Sequence, residues 1–174
     1  MRATAFWRAV TVDETNLLDR FLDVLRDLGI RYCVIGGQAV NAYVDPVVSL
    51  DLDVVVAAEQ RPLLESRLER EFRVERCTHS LNVSAAGSDL RVQIQTDPRY
   101  ASFVARATER VILGRSLMTA AMDDVLRGKV WAVQDPARRA SKRQKDLADI
   151  ARLLEACPEL RPQVPADVLA RLVS

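Results

Sequence analysis

The chain has 174 residues, of which 49% are apolar and 28% are charged, and its formal net charge at pH 7 is +1. These values are ordinary for one globular domain with a proper core, and they exclude an overall electrostatic attraction to nucleic acid or to a membrane. No apolar run approaches the length of a membrane span, and no signal-peptide pattern opens the chain, so we expect no membrane partner.

The cysteines Cys33, Cys77 and Cys157 are odd in number and widely spaced, without a Cys-x-x-Cys pair. That pattern argues against a disulfide framework and against a zinc site. It is typical of a reducing compartment and predicts a cytoplasmic location.

The first predicted helix ends before Gly29. Thr11 and Glu14 have the spacing of a capping box, in which side chains satisfy the free amides of a helix start. Behind them, apolar residues recur at helical intervals, which predicts an amphipathic helix packed on a sheet. These residues are Leu17, Leu18, Phe21, Leu22, Leu25 and Leu28.

The most informative stretch runs from residue 32 to residue 56. An apolar strand ends at Gly36 and Gly37, a helical segment follows, and a second strand opens with Asp51 and Asp53. Two acids at i and i+2 of a strand share a face, roughly 7 Å apart, and their carboxylates can hold a divalent cation. The glycines let the backbone approach a phosphate closely. This stretch therefore predicts chemistry on a nucleotide, with both acids as metal ligands.

The middle of the chain predicts a helix and three strands. Residues 61–70 form a charged helix, and its inner side is expected to carry Leu63, Leu64 and Leu68. Residues 72–76 form a short strand.

Two further strands, 81–86 and 90–96, are separated by a turn at 87–89. The second of them alternates: apolar residues face one way, while Arg91, Gln93 and Gln95 face the other.

The C-terminal third predicts mainly helices. A helix starts at Pro98, residues 111–118 form short strands or a hairpin, and Asp123 and Asp124 open another helix, where acids favour the helix dipole. The segment 158–174 is rich in proline and predicts a loosely attached extension, with one short helix, to a single domain spanning 1–157.

Five basic residues and no acidic one lie between Arg138 and Lys145. Such a run is either a solvated helix entry or a phosphate-binding patch. Asp146 and Asp149 follow, and their spacing allows ion pairs with Lys142 and Lys145 on the helix surface.

The order of strand, Gly-Gly turn, helix and Asp-x-Asp strand resembles the nucleotidyltransferase (DNA polymerase beta-like) superfamily, and most closely its small bacterial AbiEii-like branch. In that branch the acids are usually preceded by Arg-x-Thr-x, whereas here Val47 stands for the arginine and Ser49 for the threonine. The resemblance implies an α/β (α+β) fold with a small mixed sheet flanked by helices and a helical C-terminal portion. It also makes Gly36, Gly37 and Ser49 candidates for holding phosphates.

Active members of this superfamily carry a third carboxylate on a later strand. The matching run here is Arg91-Val92-Gln93-Ile94, so Gln93 takes the place of the acid. A glutamine amide cannot act as a base and is a weaker ligand for a hard cation than a carboxylate. Asp89 and Asp97 have the same strand parity, but each is roughly 13 Å away along a strand.

The pattern from Asp123 to Ile150 is also similar to the AbiEii-like branch. In that branch the run Leu-x-x-x-Lys-x-x-Ala is followed by a proline-containing turn, an arginine and the run Lys-Asp-x-x-Asp-Ile. The resemblance makes Lys129 a candidate for contacting nucleotide phosphates, and Lys142 or Lys145 for the same role or for assisting the acceptor. It implies Mg²⁺, or Mn²⁺ in its place, a nucleoside triphosphate as substrate, and a toxin–antitoxin partner. The acceptor could be a tRNA end, a small molecule or a protein side chain.

Two functional hypotheses follow. The chain is either a nucleotidyltransferase that transfers a nucleoside monophosphate to an acceptor hydroxyl, or a catalytically impaired member that binds nucleotide or a partner without turnover because of Gln93.

Other interpretations have less support. Gly36-Gly37-Gln38 matches the tripeptide of peptide-release factors, but it joins a buried strand to a helix. Asp-x-Asp also occurs in glycosyltransferases and in haloacid dehalogenase-like phosphatases, and His79 has no second histidine to work with. In a purely structural interpretation, the glycines mark a tight turn and the acids mark a strand edge.

Overall fold

A computed structural model describes residues 15–172 of the chain. It shows a mixed α/β architecture in which helices flank one seven-stranded sheet, as predicted. The capping box predicted at Thr11 and Glu14 lies outside the described residues. Within those residues, no helix combines the length and the apolar character needed to cross a membrane.

In chain order, the helices and strands are α1 (Leu17–Asp27), β1 (Tyr32–Ile35), α2 (Gly36–Val40), β2 (Asp51–Val56), a short 3-10 helix (Ala58–Gln60), α3 (Arg61–Glu71), β3 (Arg73–Arg76), β4 (Ser80–Ser84), β5 (Arg91–Gln95), a second 3-10 helix (Pro98–Arg106), β6 (Thr108–Ile112), β7 (Arg115–Thr119), α4 (Met122–Gln134), α5 (Ala140–Ala156), a third 3-10 helix (Pro158–Gln163) and α6 (Ala166–Leu169).

The strand order is β3-β4-β5-β2-β1-β7-β6, so β2 lies between β5 and β1 in the middle of the sheet. β2 runs antiparallel to β1 and parallel to β5. In this register Asp53 stands opposite Ile35 on one side and Gln93 on the other. The second acid of the Asp-x-Asp pair is therefore fixed beside both the glycine turn and the glutamine.

Helix α1 buries one apolar face in the core and ends in a Schellman motif. Ile30 N–H donates to Leu25 C=O at 2.8 Å, and Gly29 N–H donates to Arg26 C=O at 3.0 Å. Gly29 has a φ of +60°, the left-handed conformation that this motif requires. The predicted helix and its end at this glycine are confirmed.

Strand β5 divides its side chains as the alternation predicted. Leu90, Val92 and Ile94 are fully buried, whereas Gln93 and its neighbours on the other face are partly or fully exposed. On α3 the prediction was partly wrong: Leu64 and Leu68 are buried, but Leu63 is 54% exposed. One residue before an i, i+4 pair, Leu63 is rotated away from the sheet.

The C-terminal segment after α5 is packed rather than loosely attached, so that expectation was wrong. Leu160, Val164 and Val168 belong to the hydrophobic core. The prolines turn the chain back onto the preceding helices, where these apolar side chains leave water.

Candidate active site

A cleft of about 480 Å³ opens between the sheet and the helices α4 and α5. The floor comes from β2, β4 and β5, and the opposite wall comes from α4, from α5 and from the loop that joins these two helices. Every site residue predicted from the sequence lines this cleft: Gly36, Gly37, Ser49, Asp51, Asp53, Gln93, Lys129, Lys142 and Lys145. The fold brings together groups that lie more than 100 residues apart in the chain.

Gly36 is required by the position of Asp53. The φ of Gly36 is +68°, and a Cβ added there would lie 2.2 Å from Asp53 Oδ2. The carboxylate thus packs directly against the backbone at the start of α2, and no side chain fits between them. Gly37 is less restricted, because a Cβ there would meet Ser49 Oγ at 3.5 Å, an ordinary van der Waals distance.

The loop before Asp51 is held by two side chains of α2 and its C-terminal end. Gln38 donates from Nε2 to Ser49 C=O at 2.8 Å, and Asn41 exchanges two hydrogen bonds with the Val47 backbone, at 2.7 and 3.0 Å. Gln38 is only 2% exposed. This burial argues against the release-factor interpretation of the tripeptide, because the glutamine side chain supports the loop from inside the protein.

Both oxygens of Asp51 face cations. Arg91, which pairs in register with it, approaches Oδ1 from Nε at 3.1 Å and from Nη2 at 3.0 Å. Lys142 reaches across the cleft from α5 and places Nζ 3.3 Å from Oδ2. The sequence pattern alone does not reveal Arg91 as a partner of this acid, because the contact depends on the parallel pairing of β2 with β5.

Asp53 has a different environment. Its partly buried carboxylate makes no hydrogen bond or ion pair with the residues that the structure describes. Burial raises the pKa of Asp53 to about 6; Lys129 lowers it, and Asp51 raises it again. Cations at some distance therefore only partly offset the desolvation of this carboxylate, which leaves a site that favours an added positive charge.

Gln93 lies beside Asp53 in the parallel pair of β2 and β5, the position that the motif comparison gave it. Its Nε2 donates to Ser80 Oγ at 3.1 Å, so the amide is oriented by β4. Asp89 and Asp97, the two acids considered as replacements for a carboxylate at position 93, do not line the cleft. Asp97 caps the second 3-10 helix, where it accepts from Arg99 N–H at 2.9 Å, and the Arg99 side chain holds the pKa of Asp97 below its ordinary value.

Lys129 lies inside the protein between two carboxylates of α5. Its ammonium is 2.9 Å from Asp146 Oδ1 and 2.7 Å from Asp149 Oδ2, and all three side chains are at most 8% exposed. At 2.7 Å the contact with Asp149 is a close ion pair between two buried side chains. Burial lowers the pKa of Lys129, but the two carboxylates more than offset this, so the pKa lies above its ordinary value.

The expected surface pairs of Asp146 and Asp149 with Lys142 and Lys145 do not form, so this prediction was wrong. Both acids are 2% exposed because their face of α5 turns inward to α4 and Lys129. Two partly exposed arginines flank this buried cluster: Arg138 lies 2.9 Å from Asp146, and Arg152 lies 2.8 Å from Asp149.

The basic run from Arg138 to Lys145, which spans the start of α5, divides into separate tasks. Arg138 flanks the buried cluster, and Arg143 donates to the backbone carbonyls of the interhelical loop at distances from 2.9 to 3.4 Å. Lys142 contacts Asp51, while Arg139 and Lys145 are exposed at the cleft and form no ion pair with the other described residues. The run is therefore partly structural and partly a cationic wall.

Asp124 supports the structural interpretation of the Asp123-Asp124 pair. It is fully buried and pairs with Arg106 and, at 3.0 Å, with Arg127. Among residues 15–172 no group of three or more histidine, cysteine or acidic side chains is arranged to hold a metal ion. Any cation in the cleft would therefore depend on the pair Asp51 and Asp53 and on ligands that it brings with it.

Comparisons with known proteins identify the fold. The chain superposes on the lincosamide antibiotic adenylyltransferase LnuA, lincomycin-bound, with a TM-score of 0.55 and 12% identity over 82% of this chain and 99% of that one. The superposition on ANT(2'')-Ia in complex with adenylyl-2''-tobramycin has a TM-score of 0.53 and 18% sequence identity, and it covers 84% of this chain and 96% of that one. The superposition on a nucleotidyltransferase-like protein from Paracoccidioides brasiliensis has a TM-score of 0.54 and 18% sequence identity, and it covers 94% of this chain and 90% of that one.

A scan against protein-family models finds no match, and a search of curated proteins finds none. The chain nevertheless has the fold of nucleotidyltransferases, which confirms the fold predicted from the Gly-Gly and Asp-x-Asp stretch. Membership of the AbiEii-like branch stays a prediction.

Gly36→Ala is expected to lower the free energy of unfolding by at least about 3 kcal/mol, because the positive φ and the carboxylate of Asp53 both oppose a side chain. Gly29→Ala is the matched control. It has a similar φ of +60° but open space around its Cβ, so about 1–2 kcal/mol is expected there. Urea denaturation measures both. Equal losses at the two glycines would show that Asp53 does not pack against Gly36.

Asp53→Asn is expected to stabilise the protein at neutral pH. The folded-state pKa of Asp53 is raised from 3.8 to about 6, so its contribution to stability is fully present below pH 3.8 and is lost as the pH rises through 6. The asparagine variant escapes this loss and should gain about 1–3 kcal/mol above pH 7, with little gain near pH 4. Urea denaturation across this range measures the difference. A gain independent of pH would contradict the assignment, and Asp167→Asn, at an exposed position, serves as the control.

Proposed function

We propose that this protein binds a nucleoside triphosphate with a divalent cation in the cleft, transfers the nucleoside monophosphate to an acceptor hydroxyl and releases pyrophosphate. One observation carries the proposal: Asp51 and Asp53 face a glycine turn on one side and a cationic helix wall on the other, within a nucleotidyltransferase fold. Carboxylates, backbone amides and fixed cations are the groups that phosphoryl transfer requires.

Of the two carboxylates, Asp53 is the one that is open to a divalent cation without displacing a protein cation. Asp53 forms no hydrogen bond or ion pair with the described residues. Its raised pKa reflects the desolvation of the carboxylate, which a bound cation would offset. Oxygen ligands of this kind suit Mg²⁺, with Mn²⁺ as a substitute. The chemistry supplied by a cation bound there is the neutralisation of negative charge on the transferred phosphoryl group.

The remaining residues act on the phosphates. Gly36 and Gly37 leave the backbone open to a close approach, and Ser49 lies beside them in the loop that Gln38 holds. Lys142 and Lys145 extend from α5 toward the same space and are the stronger candidates for direct phosphate contacts. Lys129 would act through its fixed positive charge, because Asp146 and Asp149 already surround its ammonium.

A small molecule is the acceptor that we favour among the three classes considered. Two proteins with similar folds are a lincosamide antibiotic adenylyltransferase bound to lincomycin and ANT(2'')-Ia in complex with adenylyl-2''-tobramycin, and both point to a small-molecule acceptor. A toxin–antitoxin partner would follow only from the AbiEii-like resemblance.

A second candidate function is nucleotide or partner binding without turnover. Gln93 stands beside Asp53 where an acid would assist the attacking hydroxyl, and its amide is tied to Ser80. The other acids lining the cleft on α4 and α5, Asp124 and Asp146, are committed to ion pairs. An amide at position 93 can orient a hydroxyl but cannot accept its proton.

The double variant Asp51→Asn/Asp53→Asn is expected to lose Mg²⁺-dependent nucleotide binding, because no carboxylate remains on this face of β2. Isothermal titration calorimetry with ATP, GTP, CTP and UTP, with and without Mg²⁺, measures this on both proteins. Asp23→Asn/Asp167→Asn removes two exposed acids elsewhere and should bind like the wild type. Unchanged affinity in the Asp51/Asp53 variant would refute the site.

Gln93→Asp separates the two candidate functions. The new carboxylate should raise the rate of pyrophosphate release with an acceptor by about tenfold or more, since it restores a general base beside Asp53. Gln93→Asn is the control, because it changes the side-chain length without adding a charge. If the wild type binds nucleotide without turnover and only the Gln93→Asp variant is active, the protein is a catalytically impaired member. Equal rates in both variants would contradict the role given to a third carboxylate.

A further inference from the structure

The contact between Lys142 and Asp51 spans the cleft that the nucleotide is proposed to fill. Lys142 lies in the first turn of α5, and its Nζ is 3.3 Å from Asp51 Oδ2 on the sheet. The two residues are 91 positions apart in the chain, so only the folded cleft brings them together. The lysine side chain is 40% exposed and the aspartate side chain is 23% exposed.

Lys142 occupies one of the two carboxylate oxygens of Asp51. Arg91 already engages the other oxygen at 3.0 Å, so both oxygens of this carboxylate face protein cations. Asp53, two residues away on the same face, has no such partner among the described residues. The two acids of one motif are therefore in opposite states: one is paired, and the other is open to a cation.

The pair is suited to exchange. Partly exposed lysine–carboxylate pairs are weak, because water screens them and the long side chain loses freedom. A divalent cation on Asp51 would lie close to the Lys142 ammonium and would be repelled by it. A triphosphate in the cleft offers the same ammonium a more highly charged partner within reach of α5.

We infer that Lys142 is an exchangeable cation on Asp51, which holds this carboxylate in the absence of nucleotide and moves to the triphosphate when a nucleotide binds. Asp51 then accepts a divalent cation chiefly in the presence of nucleotide, so binding of the two is coupled. The inference rests on the proposed function and adds to it an order of events at one carboxylate.

Neighbouring cations do not share this role. Arg138 is committed to Asp146, and Arg143 holds the loop carbonyls. Arg139 lies three residues before Lys142 at the same cleft but forms no ion pair with a described residue. Arg139→Met therefore removes the same charge as Lys142→Met without breaking a contact to Asp51, which makes it the matched control.

The experiment measures Mn²⁺ binding without nucleotide, by electron paramagnetic resonance of free Mn²⁺, and binding of a non-hydrolysable ATP analogue in the presence of a chelator. Lys142→Met should bind Mn²⁺ about fivefold more tightly than the wild type and the analogue about fivefold less tightly. Arg139→Met should shift both affinities by clearly smaller factors. In an Asp51→Asn background, Lys142→Met should not tighten Mn²⁺ binding further.

Three outcomes overturn the inference. Equal shifts in Lys142→Met and Arg139→Met would reduce the effect to the general field of the cleft, and an unchanged Mn²⁺ affinity in Lys142→Met would remove the competition. Both results leave the proposed function intact, provided that the wild type binds the analogue with Mn²⁺. If none of the proteins binds the analogue, with or without Mn²⁺, the proposed function fails and the inference fails with it. Thermal unfolding of each variant verifies that the fold is retained.

Discussion

The packing of Asp53 against Gly36 fixes the geometry of the whole site. The carboxylate lies so close to the backbone that a Cβ on Gly36 would be 2.2 Å from Oδ2. This contact exists because β1 and β2 pair with Ile35 opposite Asp53. A shift of one residue in that pairing would turn Asp53 to the other face of the sheet and bury Leu52 against the turn instead. Strand register, glycine turn and acid motif are thus one constraint.

The wall opposite the acids depends on a buried ion cluster. Removing a lysine and two aspartates from water is costly, and the cost is offset only where each charge has close partners. Lys129 meets this condition with Asp146 and Asp149, and the two aspartates are further paired with Arg138 and Arg152. Since Arg152 also contacts the Asp45 carbonyl and lies 3.2 Å from Asn41, the cluster reaches the loop before Asp51. The helices and the acid-bearing loop are therefore held by one network.

The sequence was sufficient where a local pattern carries the information. Alternation in β5 predicted which face holds Gln93, and the glycines with Asp51 predicted the turn and the strand. Contacts that depend on how helices rotate against each other were not predictable in this way. The spacing of Asp146 and Asp149 is compatible both with surface pairs and with burial, and only the position of Lys129 on the facing helix selects burial. The same limit applies to Arg91, whose pairing with Asp51 requires the parallel neighbour of β2 to be known.

Gln93 can be understood from the charge balance of this face of the sheet. Asp51 and Asp53 carry two negative charges, and Arg91 and Lys142 bring two positive charges to the same face. An acid at position 93 would add a third negative charge directly beside Asp53, whose pKa burial already raises. Two carboxylates at paired positions of neighbouring strands raise each other's pKa unless an additional cation is present. The amide avoids this repulsion while keeping a polar group that Ser80 orients. The neutral side chain at position 93 and the pairing of Asp51 with protein cations therefore act in the same direction, since both reduce the positive charge that this face of the sheet must recruit from outside.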